Sequence, residues 1–236
     1  MCGRFTLILD PVDLREDLDL GEIPPDLPAR YNIAPTQPVA VVRDAQARSI
    51  EFFRWGLIPS WAKDPSIGSR MINARSETLL EKPSFRTAFN RRRCLILADG
   101  FYEWYRPAAK SSRPQPYYFR LADGKPFAFA GLWDFWQSGD GSEVPSCTII
   151  TCAANERVGA IHDRMPVILD SAHLWDWLNP QAKAADLTAQ LMPYPADRMT
   201  SYPVSSAINN PSLDSQECIA PVTLSTPNQQ SLPGLP

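Results

Sequence analysis

Cys2 follows Met1 directly, and cysteine is small enough for the housekeeping aminopeptidase to remove the methionine in front of it. The product is a 1,2-aminothiol. It joins an α-amine of reference pKa about 7.7–8.0, partly neutral at cell pH, to a thiol of pKa about 8.5 on the adjacent carbon. An aldehyde condenses with such an amine to an imine, and the thiol closes on it to a five-membered thiazolidine, a ring that no internal cysteine can form. By position alone, Cys2 reads equally as a small apolar residue at the start of a strand.

Further along, Asp99-Gly-Phe-Tyr-Glu103-Trp104 sets a carboxylate among aromatic residues after an apolar strand. Desolvation there raises a carboxyl pKa towards that of a general acid or base; a strand-end Glu paired with an Arg is the plainer reading. His162, in Ile161-His-Asp-Arg-Met-Pro166, stands between a short helix and a proline-led strand, a turn from which imidazole can shuttle protons near neutral pH. The second histidine, His173, lies on the amphipathic stretch Ala172–Leu178 and reads as a surface or core residue. Asn73-Ala-Arg-Ser-Glu77 has the polarity of a loop entering a helix, with Ser76 as N-cap. Capping accounts for Ser76 but not for Asn73 or Arg75. Arg91-Arg92-Arg93 suits a phosphate grip and a solvated turn equally. Trp55, Trp61 and Trp104 suit stacking on unpaired bases where exposed, and core packing otherwise.

What positions these residues is a chain of 236 residues, 44% hydrophobic and 21% charged, within reach of one large domain. No apolar run approaches the roughly 18 residues of a membrane span. The net charge of −3 argues against a uniformly basic nucleic-acid binder, but residues 27–120 carry sixteen Lys/Arg against seven acids, while residues 10–26 carry seven acids against Arg15. Of the cations 18 are Arg and 5 Lys, and the planar guanidinium fork suits bidentate phosphate contacts. Five cysteines (Cys2, Cys94, Cys147, Cys152, Cys218) give neither a zinc spacing nor an even count for a disulfide framework, so a reducing, cytoplasmic compartment and no metal are expected. MCGRFTLILD lacks the features of a signal peptide.

Twenty-four prolines cut the chain into short elements, favouring strands and loops. The apolar or alternating runs predict strands at Arg4–Leu9, Val39–Arg43, Ile50–Trp55, Cys94–Ala98, Tyr117–Leu121, Phe127–Trp133, Thr148–Cys152 and Pro166–Leu169, forming a curved sheet system. Helices are predicted at Pro11–Leu18, opening after Asp10 with proline in the first turn, and at Ser76–Leu80, Phe85–Asn90, Val158–His162, Ala172–Leu178 and Ala182–Met192. Residues 223–236, polar and aperiodic, read as a disordered tail.

Seven blocks in register make the chain resemble the SOS-response-associated peptidase (SRAP) family, whose members shield abasic sites by crosslinking themselves to single-stranded DNA. They are Met1-Cys-Gly-Arg4, Tyr31-Asn-Ile-Ala-Pro-Thr-Gln37, Trp55-Gly-Leu-Ile-Pro-Ser-Trp61, Asn73-Ala-Arg-Ser-Glu-Thr78, Ala98-Asp-Gly-Phe-Tyr-Glu-Trp104, Phe129-Ala-Gly-Leu-Trp133 and Ile161-His-Asp-Arg-Met-Pro-Val-Ile-Leu169. The resemblance implies a β-rich, barrel-like α+β fold with flanking helices, a single domain over residues 1–222, and an N-terminus in a basic cleft. It implies roles as well. Cys2 is the crosslinking nucleophile, Asn73 holds its amine or the sugar, Glu103 moves protons and His162 promotes opening of the abasic sugar. Arg4, Arg75 and Arg164 match phosphate-contacting arginines, and Trp104 an aromatic beside the bases. The expected partner is single-stranded DNA bearing abasic sites, with replication-fork proteins beyond it; the protein is expected to act as a monomer, without cofactor, metal or membrane. Leu97 departs from the family, which usually has proline there, and bears on the strand end before Asp99.

The family name further implies proteolytic self-processing ahead of Cys2. The competing reading of the residues is an N-terminal-nucleophile cysteine hydrolase, with the Cys2 thiolate attacking an amide and its own amine as base. A third is a non-covalent single-strand-binding module using the arginines and tryptophans.

Overall fold

The computed structural model describes residues 2–107 and 113–224; most of the expected tail lies outside them. In chain order the strands are β1 (Phe5–Leu7), β2 (Arg30–Ile33), β3 (Pro38–Val42), β4 (Glu51–Trp55), β5 (Asn73–Arg75), β6 (Arg93–Ala98), β7 (Gly100–Tyr105), β8 (Gln115–Leu121), β9 (Phe127–Gln137), β10 (Glu143–Ala153), β11 (Arg164–Pro166), β12 (Ile168–Leu169) and β13 (Met199–Pro203). The helices are α1 (Pro11–Leu18), α2 (Pro83–Arg91), α3 (Glu156–Gly159) and α4 (Ala184–Ala189).

Strands β10, β4, β3, β6 and β9 hydrogen-bond in that order, and β9 pairs back onto β10 to close a five-stranded barrel. Closure removes the free edges that apolar strands would otherwise expose. β6 is buried along its whole length and reads as a continuous apolar run for that reason. It runs regularly through Leu97, opposite Ala128, to Ala98, opposite Phe127, so the absence of proline leaves the strand end intact. β5 and β11 extend the barrel sheet from β10, and β12 extends it from β9.

The second sheet is antiparallel, in the order β13-β8-β7-β1-β2. Its inward residues, among them Phe5, Phe101 and Phe119, share one hydrophobic core with the barrel. Phe5 packs edge-on against Trp55 and Phe129 of the barrel, which anchors the first strand. Asp99 alone joins β6 to β7 across the two sheets. Its carboxylate accepts from the Thr6 hydroxyl at 2.5 Å and from the main-chain N–H groups of Ile8 and Leu9 at 2.5 and 2.9 Å, so it fixes the exit of β1.

The expected fold class holds, and several element boundaries move. α1 matches at both ends: Asp10 accepts from the Val12 N–H, Pro11 opens the helix, and Asp19 closes it in the left-handed region at φ 50°. The stretch Ala172–Leu178 forms two separate 3₁₀ turns rather than a helix, Val158–His162 is helical only as α3, and Ala182–Met192 shortens to α4. Ser76 does not cap: it opens a 3₁₀ turn, Ser76–Thr78, that lacks a side-chain cap. Four strands, β2, β5, β7 and β13, go beyond the sequence expectation. Within the acidic segment, Asp19 pairs with Arg48 of the basic one, and Asp17 with Lys125 just beyond it.

Candidate functional site

The antiparallel pairing of β1 with β7 places the chain start beside the Glu103 end of β7: Phe5 lies opposite Phe101, and the Tyr102 N–H donates to the Arg4 carbonyl at 2.9 Å. β5 arrives from the barrel side, held parallel to β10 with Asn73 opposite Ile149. There the Asn73 side-chain amide donates to the Cys2 carbonyl at 2.7 Å. Two sheets and the N-terminal residues thus meet at one hydrogen bond. The other end of the amide, Oδ1, is buried without a hydrogen-bond partner among the described residues.

Cys2 is fully buried, and its thiol lies 3.9 Å from the Arg4 carbonyl. Burial, reinforced by the Glu103 charge, pushes the thiol far above its ordinary range and keeps it protonated. Glu103 is only 3% exposed in the middle of β7, opposite Tyr117. Burial raises its carboxyl pKa, and the nearby His162 works against that rise. Glu103 therefore interacts electrostatically with both Cys2 and His162.

His162 follows α3 and stands two residues before Arg164. The Arg164 main-chain N–H donates to Nδ1 of His162 at 3.0 Å. The Asp163 carboxylate, 87% exposed, lies 3.0 Å from the same Nδ1.

The arginines fall into three situations. Arg75, at the end of β5 opposite Thr151, is exposed. Arg164 forks bidentately onto Glu77, 2.6 and 3.0 Å, and also donates to the Thr151 carbonyl at 2.6 Å. Arg4 is half-buried, with Nη1 shared between the Asn32 side-chain oxygen and the Ile208 carbonyl. Trp104 sits half-buried at the rim, its ring fixed by a 2.9 Å bond from Nε1 to the Asn209 side-chain oxygen. Trp61 is exposed and Trp55 lies in the core.

The arginine triplet resolves into scaffolding. Buried Arg93 donates to the carbonyls of Phe89, Asn90, Trp177 and Asn179, Arg92 pairs with Asp134, and Arg91 alone is exposed. Asn32, not among the residues singled out from the sequence, is fully buried and also donates to the carbonyls of Ile208, Asn210 and Leu213. It ties the C-terminal segment, and Arg4 with it, to the site.

The sequence model of the SOS response associated peptidase (SRAP) family matches residues 1–211. Abasic site processing protein YoaM of Bacillus subtilis is 45% identical, over 93% of this chain and 97% of its own length. Abasic site processing protein HMCES of Xenopus tropicalis is 31% identical, over 95% of this chain and 79% of its own. Among solved structures, a protein from Bordetella bronchiseptica superposes with a TM-score of 0.73 at 30% identity, covering 86% of this chain and all of its own. Another, from Bacteroides thetaiotaomicron, reaches 0.84 at 24% identity over 94% of this chain and shares the fold.

Proposed function

The chain belongs to the SOS response associated peptidase family, and from that premise we propose that it captures abasic sites in single-stranded DNA as a covalent thiazolidine on Cys2. The observation that carries this reading is the meeting of Cys2, Asn73, Glu103 and His162 at the junction of β1, β5 and β7. A metal-free aminothiol needs a held backbone, a proton carrier and a means of releasing an aldehyde, and these residues supply all three.

An abasic deoxyribose is mostly a cyclic hemiacetal, so a proton must move for the ring to open. His162 serves that step as proton carrier. Once Cys2 carries a free amine, its nitrogen attacks the aldehyde carbon; the carbinolamine loses water, with Glu103 donating the proton to the departing oxygen. The Cys2 sulfur then adds to the carbon of the protonated imine, and the thiol proton passes to the Glu103 carboxylate, restoring the proton Glu103 gave to the departing water. One water leaves, one C–N and one C–S bond form, and no oxidant is consumed. Burial suits Glu103 to both transfers, because a raised carboxyl pKa makes it a better base for a thiol that burial keeps protonated. The imine alone would expose the sugar to β-elimination and strand cleavage; ring closure removes that route. The same carboxylate, run backwards, catalyses reversal.

Arg75, Arg164 and Arg4 line the phosphate path and Trp104 faces the bases. The test is incubation of protein bearing a free Cys2 amine with a single-stranded oligonucleotide holding one abasic site, followed by denaturing electrophoresis. A heat-stable shifted band is expected. Its absence, with the N-terminus verified by mass spectrometry, excludes the reading.

A further inference from the structure

Among the arginines beside the site, Arg164 already holds an anion. Its Nη1 and Nη2 donate to the two carboxylate oxygens of Glu77 at 2.6 and 3.0 Å, and Nη2 also to the Thr151 carbonyl at 2.6 Å. The pair is lopsided: the Arg164 side chain is 15% exposed and that of Glu77 is 52% exposed. The guanidinium is anchored by the β10 carbonyl and by its own place in β11, while the carboxylate is the member that can turn out into water. A backbone phosphate offers that fork the same two-oxygen geometry.

We propose that Glu77 is a displaceable occupant of a phosphate subsite: it fills the Arg164 fork in the free protein, and a backbone phosphate of the bound strand replaces it. The inference rests on the reading that the protein binds single-stranded DNA. Two consequences follow from the chemistry. Arg164, shielded from water, always has a counter-charge, which spares the cost of a half-buried lone cation. Every strand must also compete with a tethered carboxylate, so affinity for undamaged DNA stays low and covalent capture selects the lesion. The ion balance changes as well. A phosphate contact releases cations from a single strand, contributing about 0.7 to the log–log salt slope, but the freed Glu77 carboxylate attracts cations back.

The opposite role, Glu77 as a brace that holds Arg164 ready for the strand, predicts the opposite sign. The experiment is a fluorescence-anisotropy titration of an undamaged single-stranded oligonucleotide at several salt concentrations. It compares wild type, Glu77→Gln, Glu77→Ala, Arg164→Ala and the Glu77→Gln/Arg164→Ala double variant, with thermal melts confirming the fold of each. Both Glu77 variants should bind about two- to fivefold more tightly, the range expected from removing one exposed competing ion pair. The Glu77→Gln slope should be steeper than that of wild type, and the gain should vanish when Arg164 is absent. Unchanged or weaker binding with Arg164 intact overturns the proposal in favour of a brace. A gain that survives loss of Arg164 overturns it too, as mere removal of surface charge. Wild-type protein that binds no strand at any salt concentration overturns the functional reading itself, and this inference with it.

Discussion

The Asn73 side-chain amide donates to the Cys2 carbonyl at 2.7 Å, which makes a residue of the barrel sheet a clamp on the chain that leads into the other sheet and, in the proposed function, on its nucleophile. The clamp positions the amine attached to the same Cα as that carbonyl, so its loss should be felt in rate before stability. Asn73→Ala should cost about 1 kcal/mol of folding stability, the net worth of one hydrogen bond. It should slow adduct formation on an abasic oligonucleotide about tenfold or more, because small displacements of a reacting group are expensive. Asn73→Asp should be worse than Asn73→Ala, since a carboxylate oxygen would face the Cys2 carbonyl. Single-turnover gel kinetics beside thermal melts separate the two effects; equal rates in wild type and Asn73→Ala would rule out the clamp.

Glu103 gives a prediction in pH. Burial raises its folded-state carboxyl pKa above the unfolded value, so its contribution to stability is complete at pH below the unfolded value, about 4.3. That contribution is lost as pH rises through the folded pKa. Glu103→Gln should therefore melt higher than wild type at pH 7–8, with the gap closing as the pH falls towards 4. Adduct formation should drop about 10²-fold, the lower end for general acid–base catalysis, with affinity for undamaged strands little altered. A variant that melts lower at pH 8 and loses affinity and rate equally would make Glu103 a structural residue.

The same two positions show what the sequence discloses and what it hides. Glu103 and Cys2 are legible because their chemistry is unusual for their surroundings: a carboxylate between aromatics, and a thiol at the second position. Asn73 is legible as a polar residue without a capping role, yet its target is not, because β5 becomes a strand only through parallel pairing with β10. Three residues with loop-like polarity carry no period of their own. Asn32 is opaque for a similar reason, since the carbonyls it satisfies belong to residues 208–213 at the far end of the chain. The barrel strands, long and apolar, and α1, capped by Asp10 and Pro11, are written locally. The stretch Ala172–Leu178 has helical spacing yet breaks into 3₁₀ turns, of which only the first has a side-chain cap, from Asp170.

The order of bond formation can be tested at Cys2 itself. Cys2→Ser keeps the amine but replaces sulfur with a hydroxyl, a weaker nucleophile towards an imine. The expected outcome is loss of the heat-stable adduct with survival of an imine that borohydride traps. Gel analysis with and without reductant reads both. A heat-stable adduct from Cys2→Ser without reductant would mean that sulfur forms no part of the linkage.

Gly100 connects the packing of the second sheet to the site. It lies opposite Thr6 in β1, and a Cβ added there would overlap Cζ and the hydroxyl of Tyr118, which is itself 2.9 Å from the Thr6 hydroxyl. Tyr118 is fully enclosed, between Tyr102 and Tyr202, and has no room to retreat. Gly100→Ala should therefore destabilise the fold by about 3 kcal/mol, the upper part of the range for overpacking. The strain should also push β7 away from β1, the pairing that brings Glu103 to Cys2, so adduct formation should slow even well below the melting temperature. Gly100→Ala/Tyr118→Phe removes the clashing hydroxyl but not the ring, and should recover part of the stability and part of the rate together. Recovery of stability without rate would place the defect outside the β1–β7 pairing.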